Sequence, residues 1–185
     1  MKVLGISGSL RRDSHNTELL RAAATLLPSG VEFELYDGLR DIPPYDEDAD
    51  KAQAEAVHDL KRRIADADAV LFATPEYNHS VPGALKNALD WVSRPLATNP
   101  MRNKPAAVIG ASTGMFGAVW AQAELRKVLG AIGAKVVDRE LPVPMADEIV
   151  RDREKLESSG THSLIVGILA ELIEAAQPAQ VGAAA

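Results

Sequence analysis

The feature that most limits how this chain folds is residues 69–73, Ala-Val-Leu-Phe-Ala. Five apolar residues with no polar alternation suit a strand buried on both faces, as in a parallel sheet covered by helices. The flanking sequence supplies such helices. Residues 3–6 read as a first strand and 31–36 as a second, while residues 106–110 repeat the unbroken apolar pattern as a fourth. Between them lie helical stripes: Leu19, Leu20, Ala23, Leu26 and Leu27 within 19–27; Ala56, Val57, Leu60 and Ile64 within 52–64; a further helix over 84–92; and Ala121, Leu125, Val128, Leu129 and Ile132 within 118–132. Residues 135–141 read as a fifth strand, 145–161 are charged and carry no clear period, and 163–176 form a last helix. Strands alternating with helices build βαβ units. The right-handed crossovers of such units bring all strand-to-helix loops to one edge of the sheet.

Three of those edge loops carry unusual chemistry. Residues 7–17 place Ser9, Arg11, Ser14, Asn16 and Thr17 between a strand and a helix start. Hydroxyls, backbone N–H groups, a guanidinium and a helix N-terminus together suit a phosphate. Helix capping explains Ser14, with Thr17 and Glu18 in the first turn, but leaves Ser9, Arg11 and Asn16 unaccounted for. The loop is neither G-x-x-x-x-G-K-[ST] nor G-x-G-x-x-G, because Gly5 and Gly8 have the wrong spacing. A mononucleotide loop after the first strand remains, on an α/β, flavodoxin-like, doubly wound five-stranded parallel sheet of order 2-1-3-4-5. Residues 1–176 read as one such domain and 177–185 as a flexible tail.

The loop 74–83, Thr-Pro-Glu-Tyr-Asn-His-Ser-Val-Pro-Gly, offers successive backbone amides between two prolines. That suits a flat heteroaromatic ring, and equally a proline-bounded connection capped by Ser80. The loop 111–117, Ala-Ser-Thr-Gly-Met-Phe-Gly, has two glycines that permit close backbone approach and two hydroxyls that donate; a turn with a helix cap explains it as well. In the order 2-1-3-4-5 the three loops follow adjacent strands.

Composition narrows the partners. Twenty basic against 26 acidic residues give a net charge of -6, which argues against nucleic acid or an anionic membrane surface. With no cysteine, disulfides, thiol catalysis and thiolate metal sites are out. His15, His58, His79 and His162 are scattered without metal-ligand spacing. The first residues lack a basic-then-apolar leader and no apolar run spans a bilayer, so the cytoplasm is the expected compartment.

Taken together, Gly-Ser-Leu-Arg-Arg-Asp-Ser-His-Asn at 8–16, Ile-Pro-Pro-Tyr-Asp-Glu-Asp at 42–48, Pro-Glu-Tyr-Asn-His-Ser-Val-Pro-Gly-Ala-Leu-Lys-Asn-Ala-Leu-Asp-Trp at 75–91 and Ala-Ser-Thr-Gly-Met-Phe-Gly at 111–117 make the chain resemble the NADPH-dependent FMN reductase family. The resemblance runs from about residue 2 to 175, and the 75–91 motif is its most specific part. It implies that Ser9, Arg11, Ser14, Asn16 and Thr17 hold the FMN phosphate, that Pro75, Glu76, Tyr77 and Asn78 line the isoalloxazine mainly through backbone, and that Ser112, Thr113 and Gly114 close its other side. It also implies a homodimer or homotetramer in which helix 84–92 meets a partner subunit. One departure stands out: Trp120 lies where relatives often carry an arginine.

The expected activity is an NAD(P)H oxidoreductase passing hydride to FMN and on to quinone, flavin or other small acceptors in ping-pong order. No side chain is expected to act as catalyst, since the flavin carries the chemistry. A flavodoxin-like electron carrier and a non-enzymatic nucleotide sensor are the alternatives, and the sequence leaves NADPH against NADH open.

Overall fold

The computed structural model describes residues 1–50 and 53–177. Strand β3 (Ala69–Ala73) is buried at every position and lies between β1 (Lys2–Ser7) and β4 (Pro105–Ala111), with β2 (Glu32–Tyr36) outside β1. All pairings are parallel, for example Ile6 beside Phe72 and Phe72 beside Val108. The order is β2-β1-β3-β4-β5, with β5 (Lys135–Val136) next to β4 and a short β6 (Pro142–Val143) also pairing β4.

Side-chain alternation splits the interior into two cores. Leu4, Ile6, Val70, Phe72 and Val108 face helices α2 (Glu55–Asp66), α3 (Gly83–Val92) and α4 (Val119–Ala131), where Leu60, Leu89 and Leu125 are almost fully buried. Val3, Leu71, Ala107 and Ile109 face α1 (His15–Thr25) and α7 (Thr161–Ala176), against Leu19, Leu20, Ile165 and Leu169. Each large side chain so buried contributes about 1.5–3 kcal/mol, which is why the apolar runs settle as the central strands.

Four elements differ from the sequence reading. The fifth strand does not run unbroken over 135–141. Asp138, Arg139 and Glu140 are exposed and bulge away, with Arg126 pairing Asp138 and, at 2.9 Å, Glu140. Three charged residues cannot enter a buried ladder. The fully buried Gln122 amide fills the gap instead, accepting from Leu141 N–H at 3.1 Å and donating to Gly117 C=O at 3.0 Å. Gly117 lets β6 approach: its φ is +56°, and a Cβ there would lie 2.5 Å from Pro142 C and Val143 N. The charged segment 145–161 folds into two short helices, α5 (Ala146–Ile149) and α6 (Arg153–Ser158).

On helix α3, Leu85, Leu89, Trp91 and Val92 are buried at 2% exposure or less in the chain's own core. Lys86 pairs with Asp90, and Asn87 bonds the backbone of Pro43 and Tyr45, so the polar face is largely committed too. Ala52, the expected start of the second helix, and residues 178–185 of the expected tail lie outside the described residues; the helix itself begins at Glu55.

Candidate functional site

The loops after β1, β3 and β4 meet at one edge, as parallel topology requires. Gly8 draws the first two together. Its N–H donates to Ala73 C=O at 2.8 Å, and a Cβ there would lie 2.9 Å from Leu85 and 3.4 Å from Pro75.

A cleft of about 110 Å³ opens where the loops join. Ser9, Arg11, Ser14 and Asn16 line it from the first loop, Pro75, Glu76 and Tyr77 from the second, and Ser112 and Thr113 from the third. Nine of the twelve residues singled out by sequence therefore border one space. The other three lie around it. Thr17 turns its hydroxyl to Ser7 Oγ at 2.9 Å and lines a neighbouring cleft. Asn78 sits at the tip of a turn. Gly114 accepts from Met145 N–H at 3.2 Å.

On the first loop, Ser14 caps α1, its hydroxyl accepting from Thr17 N–H at 3.3 Å. The N–H groups of His15 and Asn16 make no hydrogen bond with other described residues, leaving two donors at a helix N-terminus. The Asn16 side chain is buried at 3% exposure and spent on the fold. Its Nδ2 donates to Ala111 C=O and its Oδ1 accepts from Ala111 N–H, both at 2.9 Å. This clamp ties the phosphate-type loop to the end of β4, a use that sequence motifs alone did not separate from ligand binding. Arg11 lines the cleft, is exposed, and forms no ion pair within the described residues. Segment 145–151 buttresses the loop from behind: Asp147 pairs with His15 Nε2 at 2.7 Å, and Arg151 donates to Asp13 C=O at 3.4 Å.

On the second loop, Asn78 and His79 both have positive φ, +54° and +59°. Tyr77 and Ser80 exchange N–H···O=C bonds of 3.2 and 3.1 Å around them, which is a two-residue hairpin turn of type I′ character. Asn tolerates this region; His does so at a cost, met here by contacts to α4. The His79 ring packs edge-on against Trp120 at 4.7 Å. Ser80 Oγ donates to Glu124 at 2.6 Å. Glu76 Oε2 accepts from Trp120 and Ala121 N–H at 3.1 and 3.2 Å, so its carboxylate is committed to capping α4. The N–H groups of Glu76 and Asn78 are left without a partner among the described residues.

On the third loop, Ser112 N–H donates to Val143 C=O at 3.1 Å and Ser112 C=O accepts from Ala146 N–H at 3.0 Å, while the N–H groups of Thr113 and Gly114 have no partner among the described residues. Beside it, Met115, Phe116 and Trp120 are exposed at 81, 62 and 42%. The Phe116 and Trp120 rings stand 5.0 Å apart. Trp120 therefore belongs to an exposed aromatic cluster at the rim, where an arginine would have placed charge.

The donor set fits FMN: the first loop offers an arginine, helix-terminal amides and hydroxyls, and the other two loops offer backbone N–H groups that are uncommitted among the described residues. The residues missed by motif reading are Gly8, Arg40 and Gln122. Gly8 was visible as a glycine inside the loop. Arg40, which donates to Leu10 C=O, and Gln122 gave no local signal, because their roles depend on chain segments 30 and 19 residues away.

The NADPH-dependent FMN reductase family model matches residues 1–148. The chain is 51% identical over 130 residues to an NAD(P)H-dependent FMN reductase of Pseudomonas aeruginosa, covering 70% of this chain and 69% of that one. It is 47% identical over 128 residues, 69% of either chain, to a 2-hydroxy-1,4-benzoquinone reductase of a Burkholderia species. Among solved structures it superposes on FerB, a flavoenzyme NAD(P)H:acceptor oxidoreductase of Paracoccus denitrificans, with a TM-score of 0.77 and 37% identity over 92% of this chain and 97% of that one. With its sheet order, its three converging loops and its free donors, the chain belongs to the NADPH-dependent FMN reductase family.

Proposed function

We propose that this chain is an FMN-dependent NAD(P)H oxidoreductase of the quinone-reductase type, acting on small electron acceptors in ping-pong order. One observation carries the reading: uncommitted donors from three loops converge on one cleft, Arg11 with the α1 amides from the first and the N–H groups of Glu76 and Thr113 from the other two, with those of Asn78 and Gly114 around it. When bound, FMN supplies hydride transfer between a nicotinamide and an acceptor.

The chain's own groups do the positioning. Arg11, Ser9 and Ser14 would hold the phosphate together with the N-terminus of α1, where Asn16 and Thr17 keep the loop in place. Pro75, Glu76, Tyr77 and Asn78 would present backbone to the ring, and Ser112, Thr113 and Gly114 would close the site from the third loop. Their free amides would stabilise negative charge developing on the ring without reorganisation.

The exposed cluster of Tyr77, Met115, Phe116 and Trp120 supports assembly as a homodimer or homotetramer through the rim rather than through α3. A cytoplasmic location follows from the need for a reduced nicotinamide. No helix among the described residues is long and apolar enough to cross a membrane.

Anaerobic addition of NADPH or NADH to the FMN-loaded protein should bleach its yellow absorbance, and a quinone should restore it. Protein that takes up no FMN defeats the proposal; protein that binds FMN but is not bleached is an electron carrier instead. Light scattering at micromolar concentration tests the assembly, and a monomeric mass removes it.

A further inference from the structure

Between α1, α6 and α7 lies a cavity of about 320 Å³ that shares no lining residue with the cleft at the sheet edge. Leu26 of α1, with Val150 and Leu156 from the segment after β6, gives it an apolar wall. Arg151 and His162 line the same space. Arg151 is exposed, forms no ion pair among the described residues, and spends one nitrogen on Asp13 C=O at 3.4 Å, so most of its fork is uncommitted. The half-buried His162 ring makes no hydrogen bond with the described residues.

A free guanidinium fork and an imidazole over an apolar wall suit a carboxylate on an apolar body. Glu157 also lines the cavity and already has an interaction of its own. Its charge opposes a dianion such as phosphate more strongly than it opposes a monocarboxylate.

The cavity does not end at Leu26. That residue also lines an open groove of about 570 Å³, which continues along α7 past Val166, Leu169 and Ile173 to Glu174. His162, Val166, Leu169 and Ile173 follow one another by four, three and four positions, so they form one stripe of the helix. The stripe is about 16 Å long from His162 to Ile173. Val166 stands 42% exposed within it. A cation at one end and a carboxylate at the other give the trough a direction: an acid group belongs beside Arg151, and an apolar chain runs toward Ile173.

We infer that this trough is a second ligand site, taking a medium-length unbranched acyl carboxylate, with Arg151 and His162 at its head group and Leu26, Val166, Leu169 and Ile173 along its chain. The inference goes beyond the flavin reading and does not depend on it.

The test titrates the full chain by calorimetry with decanoate, hexanoate, 1-decanol and inorganic phosphate. Decanoate should bind once per chain. It should bind at least about tenfold tighter than 1-decanol, the size of one charge-assisted pair. It should also exceed hexanoate about tenfold, since four more methylenes, each half-buried, gain roughly twofold apiece. Arg151→Ala should bring decanoate down to the affinity of 1-decanol. Val166→Glu, which puts a charge in the groove, should weaken decanoate at least about tenfold. Both replaced side chains are exposed, so the Tm of each variant should hold.

Equal affinities for decanoate and 1-decanol, undiminished binding in either variant, or displacement of decanoate by phosphate at comparable concentration each overturn the site. Uptake of several decanoates per chain without saturation shows surface adsorption and overturns it too. If the parent protein binds no decanoate and Val166→Glu lowers its mass in light scattering, a second copy of the chain covers the groove and the acyl site is wrong. Flavin content in the same samples bears on the earlier reading alone: protein that retains no FMN but binds decanoate as described keeps this site, and FMN-loaded protein that does not bind it loses it.

Discussion

The loops after β1 and β3 face each other across one cleft, yet they are built on opposite plans. The β3 loop is over-determined. Its I′-type turn is closed by two backbone bonds, and Glu76, His79 and Ser80 each fasten it to α4. The segment 8–13 is tied more sparsely to the rest of the chain, by Gly8 N–H to Ala73, Arg40 to Leu10 C=O and Arg151 to Asp13 C=O; Ser9 and Arg11 N–H bond only the nearby hydroxyls of Ser7 and Ser9, and the side chains of Arg11 and Arg12 have no partner among the described residues. Backbone donors must be rigid to read a flat ring, since an amide cannot reach. A guanidinium on a flexible stem reaches for its phosphate and orders on contact. The difference shows where the proposed site spends folding free energy and where it leaves binding to supply it.

Substitutions on the two sides should separate accordingly. The largest effect is expected where the first loop is anchored rather than where it binds. Asn16→Ala leaves Ala111 N–H and C=O buried and unpaired, which should lower unfolding stability by about 2–4 kcal/mol in urea titration. A loss under about 1 kcal/mol would mean that the clamp is dispensable. Glu76→Ala removes the cap of α4 and a tether of the turn, for about 1–2 kcal/mol, read as a lower Tm. An unchanged Tm would erase the contrast between the two loops.

Arg11→Ala should do the reverse, leaving Tm within a degree or so while raising the FMN Kd more than about tenfold, or roughly 1.4 kcal/mol. Equilibrium dialysis checks it, and an unchanged Kd takes Arg11 out of the phosphate site.

The smallest effect lies just outside the site. Tyr36 is 4% exposed, and its hydroxyl is buried without a partner among the described residues. Burial, helped by the carboxylates of Asp59, Asp37 and Asp41, pushes its phenol up to about 12. The unfolded value is about 10, so the folded state keeps its proton longer. The contribution is therefore complete below about pH 10 and is lost as pH rises from about 10 through 12. Tyr36→Phe should raise stability by about 1 kcal/mol at neutral pH, because an unsatisfied hydroxyl is removed, and should flatten part of the alkaline decline. A destabilised variant would show that the hydroxyl has a partner after all.

Much of the edge was legible from local chemistry. A serine, an arginine and a capped helix start after an apolar strand mark a candidate anion site within one short segment, and prolines around an amide run mark a backbone with free donors. Individual roles were less legible. Asn16 and Glu76 look alike as polar loop residues, yet both spend their side chains on backbone far along the chain, at Ala111 and at Trp120 and Ala121. Leu85 and Trp91 look like an interface stripe because a helix periodicity does not say which face meets the sheet; α3 turns them inward. The broken fifth strand had a local warning in Asp138–Arg139–Glu140, but its repair by Gln122 did not.

By itself the sequence determined the parallel doubly wound sheet, since apolar runs without alternation can be satisfied only between two helical layers. It also determined that three polar loops share an edge, because right-handed crossovers leave no other place for them. Only the tertiary structure decided which polar groups hold the fold and which remain free for a ligand. Hydrogen-bond commitments between residues 44 to 95 positions apart are set by how elements pack, and no local pattern encodes them. The same packing turned a scatter of arginines at positions 11, 12, 21 and 40 into one cleft.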